Sequence, residues 1–252
     1  MRVKISLMVV LAMVLAGCAA TPHDTSKAPD RFERFNRVTY KVNTFGSKIT
    51  KPIGRAQKKI VPQPIRTGIS NFFDNITYPV TIVNSFLQGK FKQGGADVGR
   101  FLLNSTVGVA GIFDPATDVG LEKHDEDFGQ TLATWGVPSG PYLMLPVFGP
   151  TTLRDAGGLA LDIPLNPLRH YENTSVRDKL DVLYAIELRA QLLALEEQVE
   201  ASLDPYIFVR EAYLQNRNFQ IFDGNPPAAE IPDDEFDEIS DEDLEGFELD
   251  EE

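Results

Sequence analysis

Apolar residues recur every three or four positions in several separate stretches of the chain, which is the spacing of amphipathic α-helices. The clearest stretches cover residues 32–49, 68–91, 94–111, 174–203 and 206–219. Pairs of proline or glycine residues separate most of them and are expected to end the helices. The pattern predicts an all-α fold in which Pro79 kinks or divides the second helix.

The first of these stretches carries an apolar stripe beside many basic residues. The stripe consists of Phe32, Phe35, Val38, Val42, Phe45 and Ile49. Between residues 27 and 66 there are eleven Lys or Arg residues and only two acidic ones. Such a helix could lie in a membrane interface with its cations near the headgroups. The pattern fits an ordinary core-facing helix with solvated lysines equally well.

Residues 128–158 form an apolar run that proline and glycine interrupt too often for a long helix. Within it, residues 142–148 include six large apolar side chains, but Pro141, Pro146 and Pro150 lack backbone donors and argue against a central strand. An extended, polyproline-like segment fits better. Its backbone groups need partners, so we expect helices to cover it or a polar cavity to lie beside it.

Thr152 and Asp155 have the spacing of a capping box, which predicts a helix from Leu153 to Ile163. Arg154 falls in its first turn, next to free backbone amides and close to Gly157 and Gly158. One hypothesis is contact with an anion such as a phosphate. The alternative is that Arg154 pairs with a carboxylate and that the glycines only permit close packing.

The chain begins with a basic residue pair and an apolar run, followed by Leu15, Ala16, Gly17 and Cys18. Residues 1–17 have the features of a secretory signal peptide, and the last four positions resemble the bacterial lipobox. Cys18, the only cysteine, is therefore the predicted lipidation site, and residues 18–29 are a lipidated tether. Because Ala19 rather than aspartate follows, the motif points to the outer membrane of a Gram-negative bacterium.

The C-terminal residues 223–252 are predicted to be a disordered acidic tail. From residue 230 onward there are fourteen acidic residues and no basic one, which accounts for nearly all of the net charge of −13. The tail could dock on a basic partner or simply increase solubility. We expect no nucleic-acid partner.

The inventory of reactive groups is poor. There is no GxSxG elbow and no glycine-rich nucleotide loop, and His124 and His170 are the candidate bases outside the tether. Residues 124–127 read His-Asp-Glu-Asp, but neighbouring positions diverge around a helix, so no metal site is expected. We predict a protein that is not an enzyme and has no cofactor.

Five stretches together resemble the MlaA or VacJ family of outer-membrane phospholipid-trafficking lipoproteins. They cover residues 31–43 (RFERFNRVTYKVN), 61–72 (VPQPIRTGISNF), 100–108 (RFLLNSTVG), 127–158 (DFGQTLATWGVPSGPYLMLPVFGPTTLRDAGG) and 204–217 (DPYIFVREAYLQNR). The resemblance implies a single ring-like helical domain over residues 30–222. It also implies embedding in the inner leaflet of the outer membrane, on its periplasmic side, around an amphipathic channel.

The same resemblance implies a function and partners. Misplaced phospholipid of the outer leaflet would pass through the channel to a soluble periplasmic carrier, and family members associate with trimeric porins. The predicted channel residues are Tyr142, Leu143, Leu145, Pro146, Phe148, Gly149, Arg154 and Asp155, and Phe32, Phe35, Val38, Val42 and Phe45 are predicted to face the membrane. The alternatives are a structural lipoprotein bound to porins without lipid transport and an outer-membrane phospholipase.

Overall fold

The computed structural model of the protein describes residues 30–227. Cys18, the signal peptide, the tether and the chain after residue 227 lie outside these described residues, so the predictions for them are not addressed by the structure. The described part is helical apart from one small hairpin, so the all-α prediction is confirmed. Its elements are α1 (Glu33–Ile60), α2 (Gln63–Leu87), α3 (Phe91–Thr106), α4 (Pro115–Asp118), α5 (Phe128–Thr134), β1 (Tyr142–Leu145), β2 (Gly149–Thr152), α6 (Leu153–Asp162), α7 (Thr174–Ala201) and α8 (Pro205–Ile221).

Side-chain caps fix several helix starts close to their predicted positions. The Thr152 hydroxyl accepts a hydrogen bond from the Asp155 amide, so α6 begins at Leu153 as the capping-box spacing indicates. Asn173 caps α7 through the Val176 amide, and Asp204 caps α8 through two amides. Each cap satisfies amides that have no partner within the helix.

Two helices are longer and more continuous than predicted. α1 continues past Pro52 to Ile60, and α2 runs without interruption through Pro79. Pro79 therefore does not divide α2, and a kink at Pro79, the other half of the prediction, stays a prediction. α2 also begins at Gln63, earlier than predicted, because proline is well tolerated in a first helical turn.

The segment predicted to be polyproline-like contains a short strand. Residues Tyr142–Leu145 pair antiparallel with Gly149–Thr152, with Tyr142 opposite Thr152 and Leu145 opposite Gly149. In the turn between the strands, Val147 and Gly149 have positive φ angles of 70° and 84°. The structure thus corrects the local conformation but agrees that this segment is not a strand of a central sheet.

The packing of the elements closes a ring. α1 packs against α7, α7 against α2, α2 against α5, and α5 against α6. α6 packs against β2, whose partner β1 returns to α1. α3 and α4 lie outside this circuit, with α3 packed against α2. We refer to this closed circuit of contacts as the ring.

The buried residues of the described chain are mostly polar. Among residues 30–227, nineteen buried residues are polar or charged and only nine are hydrophobic. Many large apolar side chains are instead exposed, among them Phe45 at 68% and Phe91 at 70%. A water-soluble domain of this size normally buries most of its large apolar residues, so this distribution indicates an apolar environment outside the protein.

Candidate functional site

The apolar stripe of α1 points away from the protein. All five predicted membrane-facing residues are exposed, from Phe32 at 43% to Phe45 at 68%, and the stripe continues through Ile49, Ile53 and Ile60. The neighbouring face carries Asn36, Thr39 and Gln57, all buried. The structure thus excludes the core-facing alternative for this stripe.

Two asparagines on the inner face of α1 hold the hairpin. The Asn36 amide nitrogen donates to the Tyr142 carbonyl at 3.1 Å, and its oxygen accepts from the Met144 amide at 2.8 Å. Asn43 makes the same pair of bonds to Leu145 and Val147, both at 2.9 Å. Seven residues of helix and three of strand both span about 10 Å, so the two amides match the backbone of β1. They give the edge of β1 the partners that a neighbouring strand would supply.

A cluster of arginines and aspartates lies on the other side of the hairpin. Arg217 of α8 forms two 2.6 Å hydrogen bonds to Asp127 and a third, of 3.1 Å, to Asp155. Asp155 also contacts Arg154 at 3.0 Å and accepts from the Tyr213 hydroxyl at 2.8 Å. Arg217, Arg154 and Asp155 are all buried. The cluster therefore joins α5, α6 and α8.

The charges of this cluster are matched in spite of burial. Burial by itself raises the pKa of Asp127 and Asp155, but hydrogen bonds and charges from the neighbouring arginines outweigh it and hold both values below normal. Burial tends to lower the pKa of Arg217, and the two carboxylates outweigh it and raise that pKa. At Asp162 burial outweighs the hydrogen bonds from the Phe128 amide and Asn84, so its pKa is raised.

Two glycines allow α5 and α6 to touch backbone to backbone. A Cβ atom on Gly158 would lie 2.4 Å from the Gly129 nitrogen, and one on Gly129 would lie 2.4 Å from an Arg217 nitrogen. A Cβ on Gly157 would meet nothing within 4 Å. Gly158 therefore permits close packing of α5 and α6, whereas Gly157 is not needed for it.

The eight predicted channel residues fall into two groups. Pro146 and Phe148 are exposed near the hairpin turn, and Gly149, Leu143 and Leu145 are partly buried. Tyr142, Arg154 and Asp155 are buried at the base of the hairpin. The Arg154 guanidinium contacts Asp155, which is the ion-pair alternative of the sequence analysis rather than contact with a free anion.

A polar cavity of about 90 Å³ lies between α2 and α3, and α3 is not part of the ring. None of the eight predicted residues lines it. Its walls are formed by Asn71, Asp74, Asn75, Tyr78, Arg100, Asn104, Asp114 and Lys123. The sequence reasoning missed these residues, although Asn71, Asn75 and Tyr78 recur at helical spacing and mark a polar face on α2.

Three of the four residues at 124–127 contact different partners. His124 contacts Asp97 at 2.7 Å, Glu126 contacts Lys90 at 2.9 Å, and Asp127 binds Arg217. In the described part of the chain, no group of three His, Cys, Asp or Glu residues could hold a metal ion. Likewise, none of the helices over residues 30–227 is long and apolar enough to span a membrane.

Comparison with known proteins identifies the relatives of this ring. The sequence profile of the MlaA lipoprotein family matches residues 28–220. The chain belongs to the MlaA lipoprotein family. Two relatives, from Shigella flexneri and Escherichia coli K12, are each 38% identical over 245 residues, covering 93% of this chain and 97% of theirs. Both are named intermembrane phospholipid transport system lipoprotein MlaA.

A third MlaA, from Haemophilus influenzae, is 31% identical and covers 90% of this chain and 95% of its own length. A solved structure described as "Structural basis for maintenance of bacterial outer membrane lipid asymmetry" is also similar. It is 39% identical and matches with a TM-score of 0.67, over 78% of this chain and 100% of that chain. The family resemblance of the five sequence stretches is therefore confirmed across the MlaA domain.

Proposed function

We propose that this MlaA-family chain is an outer-membrane lipoprotein, anchored through Cys18 on the periplasmic side, that moves phospholipid and is not an enzyme. It would take misplaced phospholipid from the outer leaflet through an amphipathic channel and pass it to a soluble periplasmic carrier. A trimeric porin is the proposed membrane partner. The names of the MlaA relatives, which refer to intermembrane phospholipid transport, support this role.

The observation that carries the proposal is the reversed distribution of polar and apolar side chains. A phospholipid that crosses a leaflet must keep its charged headgroup hydrated while its acyl chains stay in hydrocarbon, because burying a bare phosphate is very costly. The described chain buries mostly polar side chains and exposes many apolar ones, so a polar path through it would lie beside an apolar outer surface. Lipid could then move without an energy-coupling site.

We propose that the hairpin residues predicted for the channel divide this work between them. Phe148, exposed at 71%, would contact acyl chains together with Pro146. Tyr142, Arg154 and Asp155 would position the hairpin from its buried base.

The 90 Å³ cavity between α2 and α3 is well below the roughly 300–1,000 Å³ of pockets that enclose a small molecule. It therefore suits a polar headgroup fragment, and the acyl chains would remain on the apolar outer surface.

The function is tested with the purified lipoprotein in vesicles that contain labelled phospholipid, with a soluble lipid-binding protein as acceptor. Intact labelled lipid on the acceptor supports a conduit. Free fatty acid would instead identify a phospholipase, and absence of any transfer would favour the structural lipoprotein. Vesicles that carry an unrelated acylated lipoprotein serve as the control for spontaneous lipid exchange.

The membrane placement of α1 has a separate test. In a Trp135→Phe background, Phe45→Trp places a fluorophore on the apolar stripe, and Lys48→Trp places one on an exposed basic position of the same helix. Lipids brominated in the middle of their acyl chains should quench the first tryptophan more strongly than the second. Equal, weak quenching at both positions would show that the stripe does not face hydrocarbon.

A further inference from the structure

α1 carries a second stripe, made of basic residues that the ring does not use. Arg34, Lys41, Lys48, Arg55 and Lys59 are all exposed, and none forms an ion pair with any residue of the range 30–227. Other cations on the same helix do have partners: Arg37 contacts Asp204 at 2.8 Å, and Lys51 contacts Glu200 at 2.8 Å. We refer to the five residues as the basic stripe.

The basic stripe follows one edge of the apolar stripe. Arg34, Lys41 and Lys48 each directly precede an apolar stripe residue, and Lys59 precedes Ile60 in the same way. Adjacent residues differ by about 100° around a helix, so the cations lie to one side of the apolar residues along the entire helix. The other edge of the apolar stripe leads to the inner face with Asn36 and Gln57.

The length of the two stripes fixes the orientation of the helix. From Arg34 to Lys59 the helix rises by about 37 Å, which is more than the roughly 30 Å of a bilayer hydrocarbon core. An upright helix would place central cations such as Lys41 and Lys48 in hydrocarbon. A helix lying parallel to the membrane surface instead brings all five cations to one depth, at the headgroups.

We infer that the basic stripe is a binding surface for anionic phospholipid headgroups, so that the ring gathers anionic lipid beside itself. The inference rests on the proposed membrane placement and adds to it a preference for one headgroup charge. A zwitterionic lipid has no net charge for five unpaired cations to attract. Against an anionic surface, each cation is expected to strengthen binding by up to about fivefold at low salt.

The test is to extract the mature lipoprotein with its surrounding lipid in copolymer discs and to measure the ratio of phosphatidylglycerol to phosphatidylethanolamine by mass spectrometry. Wild-type discs should hold a severalfold excess of anionic lipid over the bulk membrane. Lys41→Gln/Lys48→Gln should remove most of the excess, and Lys41→Arg/Lys48→Arg should keep it. Lys92→Gln/Lys179→Gln is the matched control, because both lysines are exposed, unpaired in the described range and off the stripe.

Two results would overturn the inference. One is an equal lipid ratio in wild type, stripe variant and control. The other is an excess that appears only after deletion of residues 230–252, since the acidic tail and not lipid would then occupy the stripe. The measurement needs no lipid transfer. If the protein transfers lipid but its discs hold no excess of anionic lipid, only the inference about the basic stripe is refuted. If its discs hold the excess but it transfers no lipid, only the proposed function is refuted.

Discussion

The two asparagines that hold the hairpin allow a quantitative prediction, because each makes one pair of bonds to the hairpin in different surroundings. Asn36 also donates to Asp30 at 3.0 Å. Asn36 is fully buried, and Asn36→Ala leaves the Met144 amide and the Tyr142 carbonyl without partners inside the protein. An unsatisfied buried group costs about 1–3 kcal/mol. We expect Asn36→Ala to lower the free energy of unfolding by about 3 kcal/mol, a fall in Tm of roughly 6–12 °C.

Asn43→Ala is the matched control. Its bonds go to Leu145, which is partly buried, and to the exposed Val147, so water can replace the lost amide. We expect a loss of only about 1 kcal/mol. The assay is thermal unfolding of the mature lipoprotein in detergent, followed by far-UV circular dichroism. Hydrogen exchange at the Met144 amide should accelerate in Asn36→Ala and stay slow in Asn43→Ala.

Equal destabilisation by the two substitutions would contradict this reasoning, as would slow exchange at Met144 in Asn36→Ala. Either result would mean that the strand edge finds its partners without the helix. The hairpin would then be held mainly by its apolar contacts, in which Tyr142 and Met144 pack with Tyr206 and Leu214.

Three further predictions concern the buried cluster. Gly158→Ala should lower the free energy of unfolding by about 1–3 kcal/mol through a backbone clash, whereas Gly157→Ala, in open space within α6, should raise it by about 0.5–1 kcal/mol; chemical denaturation compares the two. Arg217→Gln should cost about 3 kcal/mol, because it removes the cation that pairs with the buried Asp155 and the partly buried Asp127, and Arg217→Lys should cost less in the same assay. The pKa of Asp127 is lowered in the folded protein. Its contribution to the free energy of unfolding is therefore complete above the ordinary pKa of about 3.9 and disappears as pH falls through the pKa of the folded state. Thermal melts at decreasing pH should therefore show a shallower loss of stability in Asp127→Asn than in wild type, and an unchanged slope would refute the assignment.

The sequence predicted the helices well because helical periodicity does not depend on what the apolar face contacts. For the same reason the sequence did not show whether the apolar stripe of α1 faces lipid or the protein core. Phe35 and Phe45 recur at helical spacing in either case. Only the packed structure shows that the polar face of α1 turns inward, toward the hairpin and α7. The start of α6 was predictable because a cap is a local interaction between Thr152 and Asp155.

The strand at residues 142–145 was not predicted, because the prolines argue against a central strand and favour a polyproline-like segment. In the structure Pro146 follows β1, and Pro150 lies opposite Met144. The Met144 amide points to Asn36 rather than across the ladder, so the missing donor of Pro150 removes no ladder bond. Asn36 and Asn43 are seven residues apart and therefore lie on the same face of α1. The sequence alone does not show that their partners are Tyr142 and Leu145, more than a hundred positions away.

The exposed apolar residues also affect the solubility of the folded protein before it reaches its membrane. Hydrocarbon can shelter a side chain such as Phe45 and bulk water cannot, so the finished fold is at greatest risk while it travels through an aqueous compartment. A newly made copy is therefore expected to need a carrier protein that shields this apolar surface until it reaches the membrane. Copies made faster than they can be covered should stick to one another through the surface that later meets lipid.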